Sequence, residues 1–513
     1  MTQISDKSAT LDSPEAGEIT ENIADQYFAT LNPRDNSLIA NYPIMNADQV
    51  RNVVRSAKTS AVRWAALSPA RRERHLRRWR RYLLDHYDEL TDLVVRENGK
   101  SRADAQLEIA LGINQLHWAT KNATRVLQRR RVEPGILMFN HAATVEYHPY
   151  GVVAVIGPWN YPVFSPLGAI AYALAAGNAV IHKPSEYTTL VGQWLVDSLR
   201  NAVGNDSDAV IPLHMVTGNG ITGDALCRAG VDKVAFTGST PTGKKVMAAC
   251  AESLTPVLLE CGGKDALIVD ADADIEAAAE AAVWGSMTNA GQTCIGIERV
   301  YVAESVAERF MTAVTGKAER LSVGADPLLD LGAITMPAQV DVIERHIKAG
   351  IAAGGRLLVG GTDSVSRPYV SPVVLADVPE DCAALQEETF GPVLIVNRVQ
   401  SMDEAVVLVN DSEFGLGATV FSRARGSEIA RQLRVGMVSV NSVLAYGAMP
   451  ALPFGGVGQS GFGRIHGADG LREFSWAQSV ARKIAPAPVN VTSFERPRWA
   501  MRALTTLVRT LYR

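Results

Sequence analysis

Cysteine is scarce in this chain, and its scatter excludes two classes of protein. The 513 residues contain five cysteines, namely Cys227, Cys250, Cys261, Cys294 and Cys382. They form no Cys-x-x-Cys pair, so we expect neither a disulfide framework nor a thiolate zinc site, and we predict no metal. A reducing compartment such as the cytoplasm fits this usage.

Long apolar runs and a strong net charge are also lacking. The N-terminal stretch MTQISDKSATLDSPEAGEIT has no apolar core for a signal peptide, and no later run approaches the ~18 residues of a membrane span. A formal net charge of −4 gives no general reason to expect a nucleic acid partner. We therefore expect a globular cytoplasmic protein, and its length predicts about three domains.

Basic residues nevertheless cluster once, in RRERHLRRWRRYLLDHY, where seven arginines lie between Arg71 and Arg81. A nucleic-acid-binding helix is one interpretation. Apolar residues also recur at helical spacing, so we favour an amphipathic surface helix whose inner face is formed by Leu76, Trp79, Leu83 and Tyr87. The pattern from Ala47 to about Ala123 is helical throughout, after a loose lead-in over residues 1 to about 25.

Apolar strands alternate with helical stretches in the rest of the chain. The first three strands lie in GVVAVIGPWNYP, NAVIHKPSE and VDKVAFTGST, after an extended segment from Gly135 to Tyr150. A second alternating region begins near Leu258 and includes DALIVD and PVLIVNRV. This alternation predicts an α/β fold with a doubly wound parallel sheet, and ligands bind such sheets beyond the carboxyl ends of the strands.

The turn FTGSTPTG is a candidate phosphate site. The strand is predicted to end at Phe236, and Gly238, Ser239 and Gly243 precede a helix whose N-terminal amides favour an anion such as a dinucleotide pyrophosphate. The motif is not the usual Gly-x-Gly-x-x-Gly, and a plain turn between a strand and a helix is the alternative.

The loop HKPSE places Lys183 and Glu186 after another strand, where a donor and an acceptor could hold ribose hydroxyls. A solvated loop is the alternative. If Glu186 holds the adenosine ribose, its charge opposes a 2′-phosphate, so NAD is favoured and NADP is the second choice.

Three further residues suit acyl chemistry. Cys294 lies in NAGQTCIG, a polar turn that favours a nucleophile over a packed thiol. Glu260 ends the apolar run of LLECGGK, where desolvation would raise its pKa and make it a base near neutral pH, unless it pairs with Lys264. Asn160, between the prolines of PWNYP, could donate to an oxyanion or could simply stabilise a turn.

Together these motifs resemble the aldehyde dehydrogenase superfamily. The resemblance extends from about Phe28 to Val480 and includes EETFGPVL, NDSEFGLGATVFS, GMVSVN and PFGGVGQSGFGR. It implies a homodimer or a homotetramer. It also implies three parts of the chain: a doubly wound cofactor domain over 1–134 and 152–261, a catalytic α/β domain over 262–475, and a small β oligomerisation element over 135–151 and 476–490. A basic amphipathic tail over 491–513 extends past the matched region.

The resemblance implies a mechanism as well. Cys294 would attack an aldehyde carbonyl to give a thiohemiacetal, whose oxyanion meets the amide of Asn160 and the Cys294 N–H. Hydride transfer to the nicotinamide would leave a thioester, and Glu260 would activate the water that hydrolyses it. This glutamate favours release of a free acid over transfer to coenzyme A. The further cofactor contacts that the resemblance implies are Trp159, Glu388 and Phe390.

The residues that match the family's substrate tunnel are mostly apolar or aromatic: Tyr161, Thr288, Ile295, Tyr446 and Phe454. No arginine stands among them to pair a substrate carboxylate, so we expect an aromatic or a medium-to-long aliphatic aldehyde.

One departure from the family's pattern follows Arg464. Many hydrolytic members carry a glutamate there, whereas this chain has Ile465 and then His466.

The C-terminal tail RPRWAMRALTTLVRTLYR forms two helical stripes, one apolar and one of arginines. A basic amphipathic helix can make a peripheral contact with an anionic membrane. It can equally dock on its own protein or on a neighbouring subunit.

Two rival functions stay open on the sequence. One is a thiol esterase or acyl transferase that uses Cys294 without a cofactor. The other is a binding protein that keeps the fold without turnover, because fold alone does not establish function.

Overall fold

The structure is a computed structural model, and it describes residues 26–204, 210–487, 489 and 491–513. The loose lead-in predicted for residues 1 to about 25 lies outside the described residues. The α-helices of the described ranges are α1 (Ala47–Ala65), α2 (Pro69–Asp85), α3 (Tyr87–Asn98), α4 (Arg102–Leu127), α5 (Phe164–Ala176), α6 (Thr189–Val203), α7 (Gly220–Arg228), α8 (Thr240–Ala251), α9 (Ile275–Met287), α10 (Ala307–Ala318), α11 (Pro337–Ala352), α12 (Ala383–Gln386), α13 (Met402–Asn410), α14 (Gly426–Gln432), α15 (Ala445–Ala448), α16 (Gly467–Glu473) and α17 (Arg498–Leu511). Short 3-10 helices cover Ile136–Met138, Thr288–Gly291, Glu304–Val306 and Thr362–Ser364.

The strands of the same ranges are β1 (Tyr27–Leu31), β2 (Leu38–Pro43), β3 (Arg130–Val132), β4 (His141–Pro149), β5 (Val152–Ile156), β6 (Ala179–Lys183), β7 (Leu213–Met215), β8 (Lys233–Thr237), β9 (Val257–Glu260), β10 (Asp265–Val269), β11 (Ile297–Ala303), β12 (Arg356–Val359), β13 (Val365–Ser366), β14 (Tyr369–Val370), β15 (Val373–Ala376), β16 (Val393–Val399), β17 (Phe414–Gly415), β18 (Gly417–Phe421), β19 (Met437–Val440), β20 (Val457–Gly458), β21 (Gly461–Phe462) and β22 (Ser475–Lys483).

The first large sheet has the strand order β21-β9-β8-β5-β6-β7, and β5 to β9 are parallel. The chain runs from β5 to β6 and β7 on one side, then crosses to β8 and β9 on the other side. The order therefore reverses between β5 and β8. At such a switch point the connections beyond the carboxyl ends diverge and leave a crevice for a ligand. The doubly wound parallel sheet predicted from the sequence is confirmed.

The second large sheet has the order β12-β15-β16-β11-β10-β18-β19, in which β12 is antiparallel to β15 and the other pairs are parallel. Every residue of its strands β10 and β11 is buried, as expected for a sheet with helices on both faces. A third, antiparallel sheet has the order β22-β4-β3, and β22 pairs with β4 along the whole length of both strands.

The segment just before residue 475 does not pack with the domain to which the resemblance assigns it. The resemblance assigns 262–475 to the catalytic domain, yet β21 pairs with β9 of the first sheet. Leu471 and Phe474, in and just after α16, belong to the apolar core on the same side. The physical reason is that the short strand β21 completes the edge of the first sheet. The other domain limits stay predictions.

The arginine-rich stretch is an amphipathic surface helix, as predicted. Leu76, Trp79 and Leu83 of α2 are buried, and most of the arginines between Arg71 and Arg81 are exposed. Tyr87 is an exception to the predicted stripe, because α2 ends before it and Tyr87 begins α3.

The segment from Gly135 to Tyr150 is only partly extended, which corrects the sequence expectation. The Met138 N–H donates to the Gly135 carbonyl at 3.1 Å and closes a 3-10 turn, so the strand begins only at His141.

The tail helix α17 leaves much of its apolar stripe uncovered. Ala500 is buried and Leu504 is half-buried, whereas Met501, Leu507 and Leu511 are exposed. No helix in the described part of the chain is long and apolar enough to cross a bilayer. What the stripe contacts stays a prediction.

Candidate active site

Two cavities meet beyond the carboxyl ends of the first sheet. The larger measures about 1020 Å³ and the smaller about 250 Å³. Both cavities are lined by Thr237, Glu260, Cys261 and Cys294. The nucleophile and the base predicted from the sequence therefore lie together at the junction of two spaces, although more than thirty residues separate them along the chain.

The turn that carries Cys294 has an unusual backbone. Residues 289–291 all have positive φ, between 54 and 74°. A Cβ at Gly291 would lie 2.1 Å from the carbonyl carbon of Gly391, so only glycine fits there. Burial raises the pKa of the Cys294 thiol, and nearby carboxyl groups, first Glu388, raise it further. The thiol is therefore protonated at neutral pH and needs a base to become a nucleophile.

Asn160 is buried directly beside this turn. Its Nδ2 donates to the carbonyl of Gln292 at 2.9 Å. The backbone carbonyl of Asn160 accepts hydrogen bonds from Asn289 Nδ2 at 3.1 Å and from Lys100 Nζ at 2.8 Å. The loop after β5 and the turn before Cys294 are thereby joined by side-chain hydrogen bonds, which fixes the amide near the predicted nucleophile.

A buried ion pair supports the same loop from behind. Lys100 Nζ lies 2.5 Å from Glu108 Oε2, and both side chains are fully buried. Glu108 Oε1 accepts from the backbone N–H groups of Val163 and Phe164 at 2.7 and 3.1 Å. Neither charged residue carries a sequence motif, so the sequence analysis missed both. Their role is visible only once α4 is packed against the loop.

Glu260 ends β9 and is 3% exposed. Neither carboxyl oxygen has a hydrogen-bond partner in the described structure. Burial raises its pKa well above the usual range, and the charge of Arg464 opposes that rise only in part. The alternative pairing with Lys264 is not found, because Lys264 pairs with Glu298. A raised pKa makes the ionised form of this carboxyl a stronger base than an ordinary glutamate.

The larger cavity gathers all but one of the residues predicted to bind the cofactor: Trp159, Lys183, Glu186, Phe236, Gly238, Ser239, Glu388 and Phe390. Gly243 is the exception. It lies inside the first turn of α8, where a Cβ would stand 2.9 Å from Cys261 Sγ. The physical role of Gly243 is thus close packing of helix against strand.

The chemistry of the larger cavity fits a nicotinamide dinucleotide. Ser239 precedes α8, whose first-turn amides can meet a pyrophosphate. Lys183 is buried and its Nζ donates to the Pro184 carbonyl at 3.1 Å. Trp159 and Phe390 pack edge to face with ring centroids 5.4 Å apart. Within the described ranges, no group of three or more His, Cys, Asp or Glu is arranged to hold a metal ion.

Glu388 is a buried carboxyl among the residues that line the larger cavity. One of its carboxyl oxygens accepts from the Gly263 N–H at 2.9 Å. Burial, with the charge of Glu298, raises its pKa to about 8. A carboxyl in this state can both accept and donate hydrogen bonds, as contacts to ribose hydroxyls require.

The smaller cavity is lined mainly by apolar and aromatic side chains. Of the residues predicted for a substrate tunnel, Tyr161, Thr288, Ile295 and Phe454 line it. Tyr446 does not, because its buried hydroxyl points to Asp265 at 3.4 Å while its neighbours Ala445 and Gly447 line the cavity. No lysine or arginine is among the described lining residues, which include the carboxyl groups of Asp104 and Glu108.

Two of the lining residues that could not be predicted from the sequence are Thr237 and His466. Strand β8 continues to Thr237, one residue beyond the predicted end, and Thr237 lines both cavities. His466 lines the smaller cavity, although the sequence marked it only as part of a departure from a motif.

Comparison with known proteins gives one family throughout. The sequence profile of the Aldehyde dehydrogenase family matches residues 19–480. The chain is 39% identical over 459 residues to a 4,4'-diapolycopene aldehyde oxidase of a Methylomonas species, covering 88% of this chain and 85% of that protein. It is 35% identical over 452 residues to a putative NADP(+) succinate-semialdehyde dehydrogenase of Mycolicibacterium smegmatis, covering 86% of this chain and 85% of that protein.

Solved structures agree with the sequence relatives. The crystal structure of an NAD-dependent aldehyde dehydrogenase from Sinorhizobium meliloti matches with a TM-score of 0.84 at 33% identity, covering 90% of this chain and 92% of that one. A putative aldehyde dehydrogenase from Burkholderia cenocepacia also matches with a TM-score of 0.84, at 32% identity and with 90% and 97% coverage.

Proposed function

The chain belongs to the aldehyde dehydrogenase family, and we propose that, as an NAD(P)-dependent enzyme of that family, it oxidises aldehydes through a covalent thioester on Cys294. Water activated by Glu260 then releases a free carboxylic acid. The observation that carries this proposal is the junction at which Cys294 and Glu260 line both an apolar cavity and a dinucleotide-sized one.

The first step uses the thiol and two hydrogen-bond donors. The Cys294 thiol releases its proton to water, its sulfur forms a bond to the aldehyde carbon, and the π electrons of the carbonyl move to the oxygen, which gains negative charge. The Cys294 N–H and the amide of Asn160 donate to that oxygen. One N–H of the Asn160 amide is engaged by Gln292, which leaves the other for the oxyanion.

A bound nicotinamide dinucleotide supplies the hydride acceptor that this oxidation requires. In the second step Glu260 takes a proton from water as the water oxygen bonds to the thioester carbon. The C–S bond then breaks, the sulfur leaves as a thiolate and the acid is released. The raised pKa of Glu260 suits this role, because the ionised form of such a carboxyl is a stronger base than an ordinary glutamate.

Cofactor binding is assigned to the residues of the larger cavity. The turn at Gly238 and Ser239 would hold the pyrophosphate, Lys183 and Glu186 the adenosine ribose, and Glu388 the nicotinamide ribose. We propose NAD as the preferred form, because the Glu186 carboxylate would repel a 2′-phosphate. The Mycolicibacterium relative is named as an NADP(+) enzyme, so both forms belong in any assay.

The lining of the smaller cavity supports an aromatic or a medium-to-long aliphatic substrate. Apolar side chains such as Leu107, Trp284 and Phe454 face it. The described lining offers no cation to a second carboxylate, and Asp104 would repel one. The name of the Mycolicibacterium relative points to succinate semialdehyde, whereas that of the Methylomonas relative points to a diapolycopene aldehyde. The apolar lining of the smaller cavity favours the less polar of these two kinds of aldehyde.

We also expect self-association. Strand β22 lies at the edge of its sheet, and its side chains are almost all exposed. An exposed strand edge is protected when a second copy pairs with it. A homodimer or homotetramer in the cytoplasm stays a prediction, and none of the comparisons supports contact of α17 with a membrane.

The test of this function is an aldehyde panel with NAD and NADP. Benzaldehyde, hexanal, decanal and succinate semialdehyde are each supplied to the wild type and to Cys294→Ala. We expect reduced nicotinamide from the apolar aldehydes with the wild type, a loss of about 1,000-fold or more in the variant, and unchanged NADH binding by fluorescence titration.

Cys382→Ala is the matched control, because Cys382 is also a free thiol but lines neither cavity. Wild-type turnover by Cys294→Ala would contradict the proposed nucleophile. Ready hydrolysis of activated esters without any nicotinamide reduction would instead support the cofactor-free thiol esterase.

A further inference from the structure

The smaller cavity contains a polar side chain that the proposed mechanism does not use. Thr288 Oγ1 donates to Asp104 at 2.8 Å, and the hydroxyls of Tyr161 and Thr293 share a hydrogen bond of 2.9 Å. Among the described residues that line this cavity, only Glu260 and His466 have a buried side-chain oxygen or nitrogen without a hydrogen-bond partner. Glu260 has a role in the proposed reaction, and His466 has none.

His466 is isolated from other polar groups of the protein. It is 3% exposed, and its Nδ1 has no hydrogen-bond partner in the described structure. Three aromatic rings surround the imidazole, those of Phe164, Tyr172 and Phe454, with centroids 5.6–5.7 Å away. An unpaired buried polar atom is costly. Nδ1 has almost no accessible surface, so a ligand in the cavity would meet the imidazole at its other ring nitrogen, Nε2.

The backbone at His466 is strained as well. Its φ of 66° and ψ of 168° lie in a region that glycine adopts freely and other residues rarely do. The neighbouring hydrogen bonds hold this conformation, since Ile465 N–H donates to the Phe454 carbonyl at 2.8 Å and Gly467 N–H donates to the Tyr172 hydroxyl at 3.1 Å. A histidine kept at a strained position facing a cavity points to a functional role.

The imidazole is uncharged under ordinary conditions. Burial lowers the pKa of His466 to about 3. A neutral imidazole offers one N–H donor and one nitrogen acceptor, and it does not attract a carboxylate by charge. A hydroxyl, ether or carbonyl oxygen is the partner that such a ring can bind in an otherwise apolar space.

We propose that His466 is a hydrogen-bonding subsite for an uncharged oxygen that the substrate bears at some distance from the reacting aldehyde. The inference rests on the proposed function, because it takes the smaller cavity as the substrate cavity. The enzyme would then select aldehydes with an apolar chain and one oxygen at the distance that reaches the imidazole, and it would discriminate against the plain chain of equal length.

The experiment compares each ω-hydroxyaldehyde with the alkanal of the same carbon number, from butanal to decanal. In the wild type we expect the ratio of kcat/KM, hydroxylated over plain, to reach about ten-fold or more at one chain length. In His466→Phe the ratio should fall to about one or below. His466→Asn should restore part of the preference, because asparagine tolerates positive φ and its amide both donates and accepts.

The ratio cancels a general loss of activity in either variant. NADH titration reports whether the variants are folded, since His466 does not line the larger cavity. If neither the alkanals nor benzaldehyde reduce NAD or NADP with the wild type, the proposed function fails, and if benzaldehyde alone is oxidised, the subsite is overturned and the proposed function stands. If alkanals are oxidised but no chain length shows the hydroxyl preference, or if the preference persists in His466→Phe, the subsite is overturned and the proposed function stands.

Discussion

The side-chain amide of Asn160 donates to the carbonyl of Gln292 at 2.9 Å, and this bond joins the loop after β5 to the turn that carries Cys294. Asn289 Nδ2 reinforces the link, because it donates to the carbonyls of both Asn160 and Gln292 at 3.1 Å. These hydrogen bonds thus fix the loop of the predicted oxyanion donor against the turn of the predicted nucleophile. Catalysis by preorganised donors depends on such fixed geometry.

Removing this amide should slow the reaction strongly. We expect Asn160→Ala to lower kcat by about 100- to 1,000-fold, the usual loss for one oxyanion donor. The wild type and the variant are compared by steady-state kinetics with hexanal and NAD. Asn122→Ala is the control, because Asn122 lies on α4 and lines neither cavity. If Asn160→Ala keeps the wild-type kcat, the amide has no part in oxyanion stabilisation.

Glu260 should matter more for acid release than for the first oxidation. In Glu260→Gln the residue can no longer take a proton from water, so the thioester should accumulate. We expect a rapid burst of NADH followed by a steady rate about 100-fold below that of the wild type. Stopped-flow absorbance measures both phases, with the exposed Glu413→Gln as the control. Steady turnover at the wild-type rate would falsify the assignment of Glu260 as the base.

The parts of the site at strand ends could be predicted from the sequence. Asn160 follows β5 and Glu260 ends β9, and parallel strands of one sheet bring their carboxyl ends to a common edge. The order of apolar runs is therefore enough to place these residues near one another. The family and the fold are confirmed by the comparisons, whereas the roles of the individual side chains stay predictions.

Orientation within short elements could not be predicted. The helix α15 has four residues, so a small rotation decides which of them face the cavity, and Tyr446 points to Asp265 instead. The Lys100–Glu108 pair was equally hidden, because its contact with the loop around Asn160 joins residues far apart in the chain. Local patterns carry no signal for such contacts.

Glu186 should set the choice between NAD and NADP. It lines the larger cavity after β6, and its carboxylate would lie beside a 2′-phosphate if it holds the adenosine ribose. Glu186→Gln removes this repulsion, so we expect the kcat/KM ratio of NADP to NAD to rise about ten-fold. The exposed Glu252→Gln, at the far end of α8, is the control. An unchanged ratio would place the ribose elsewhere.

Glu97 holds the helix that follows this ribose loop. Near the end of α3, it accepts from the backbone N–H groups of Leu190 and Val191 at 2.8 and 2.7 Å, in the first turn of α6. Its side chain is fully buried. Burial is the largest influence and raises the pKa of Glu97 to about 7, although the two backbone hydrogen bonds act to lower it.

This shift predicts how stability depends on pH. Because folding raises the pKa of Glu97 from 4.5 to about 7, the native state binds its proton more tightly than the unfolded state. The stabilisation is complete below the unfolded pKa and is lost as the pH rises through the native one. Relative to Glu97→Gln, the wild type should therefore lose on the order of 3 kcal/mol of unfolding free energy between about pH 4.5 and 7. Urea unfolding of both proteins across this window measures the difference, with the exposed Glu133→Gln alongside. Parallel curves for the wild type and Glu97→Gln would mean that folding leaves the pKa of Glu97 unchanged, because the two amides of α6 offset desolvation.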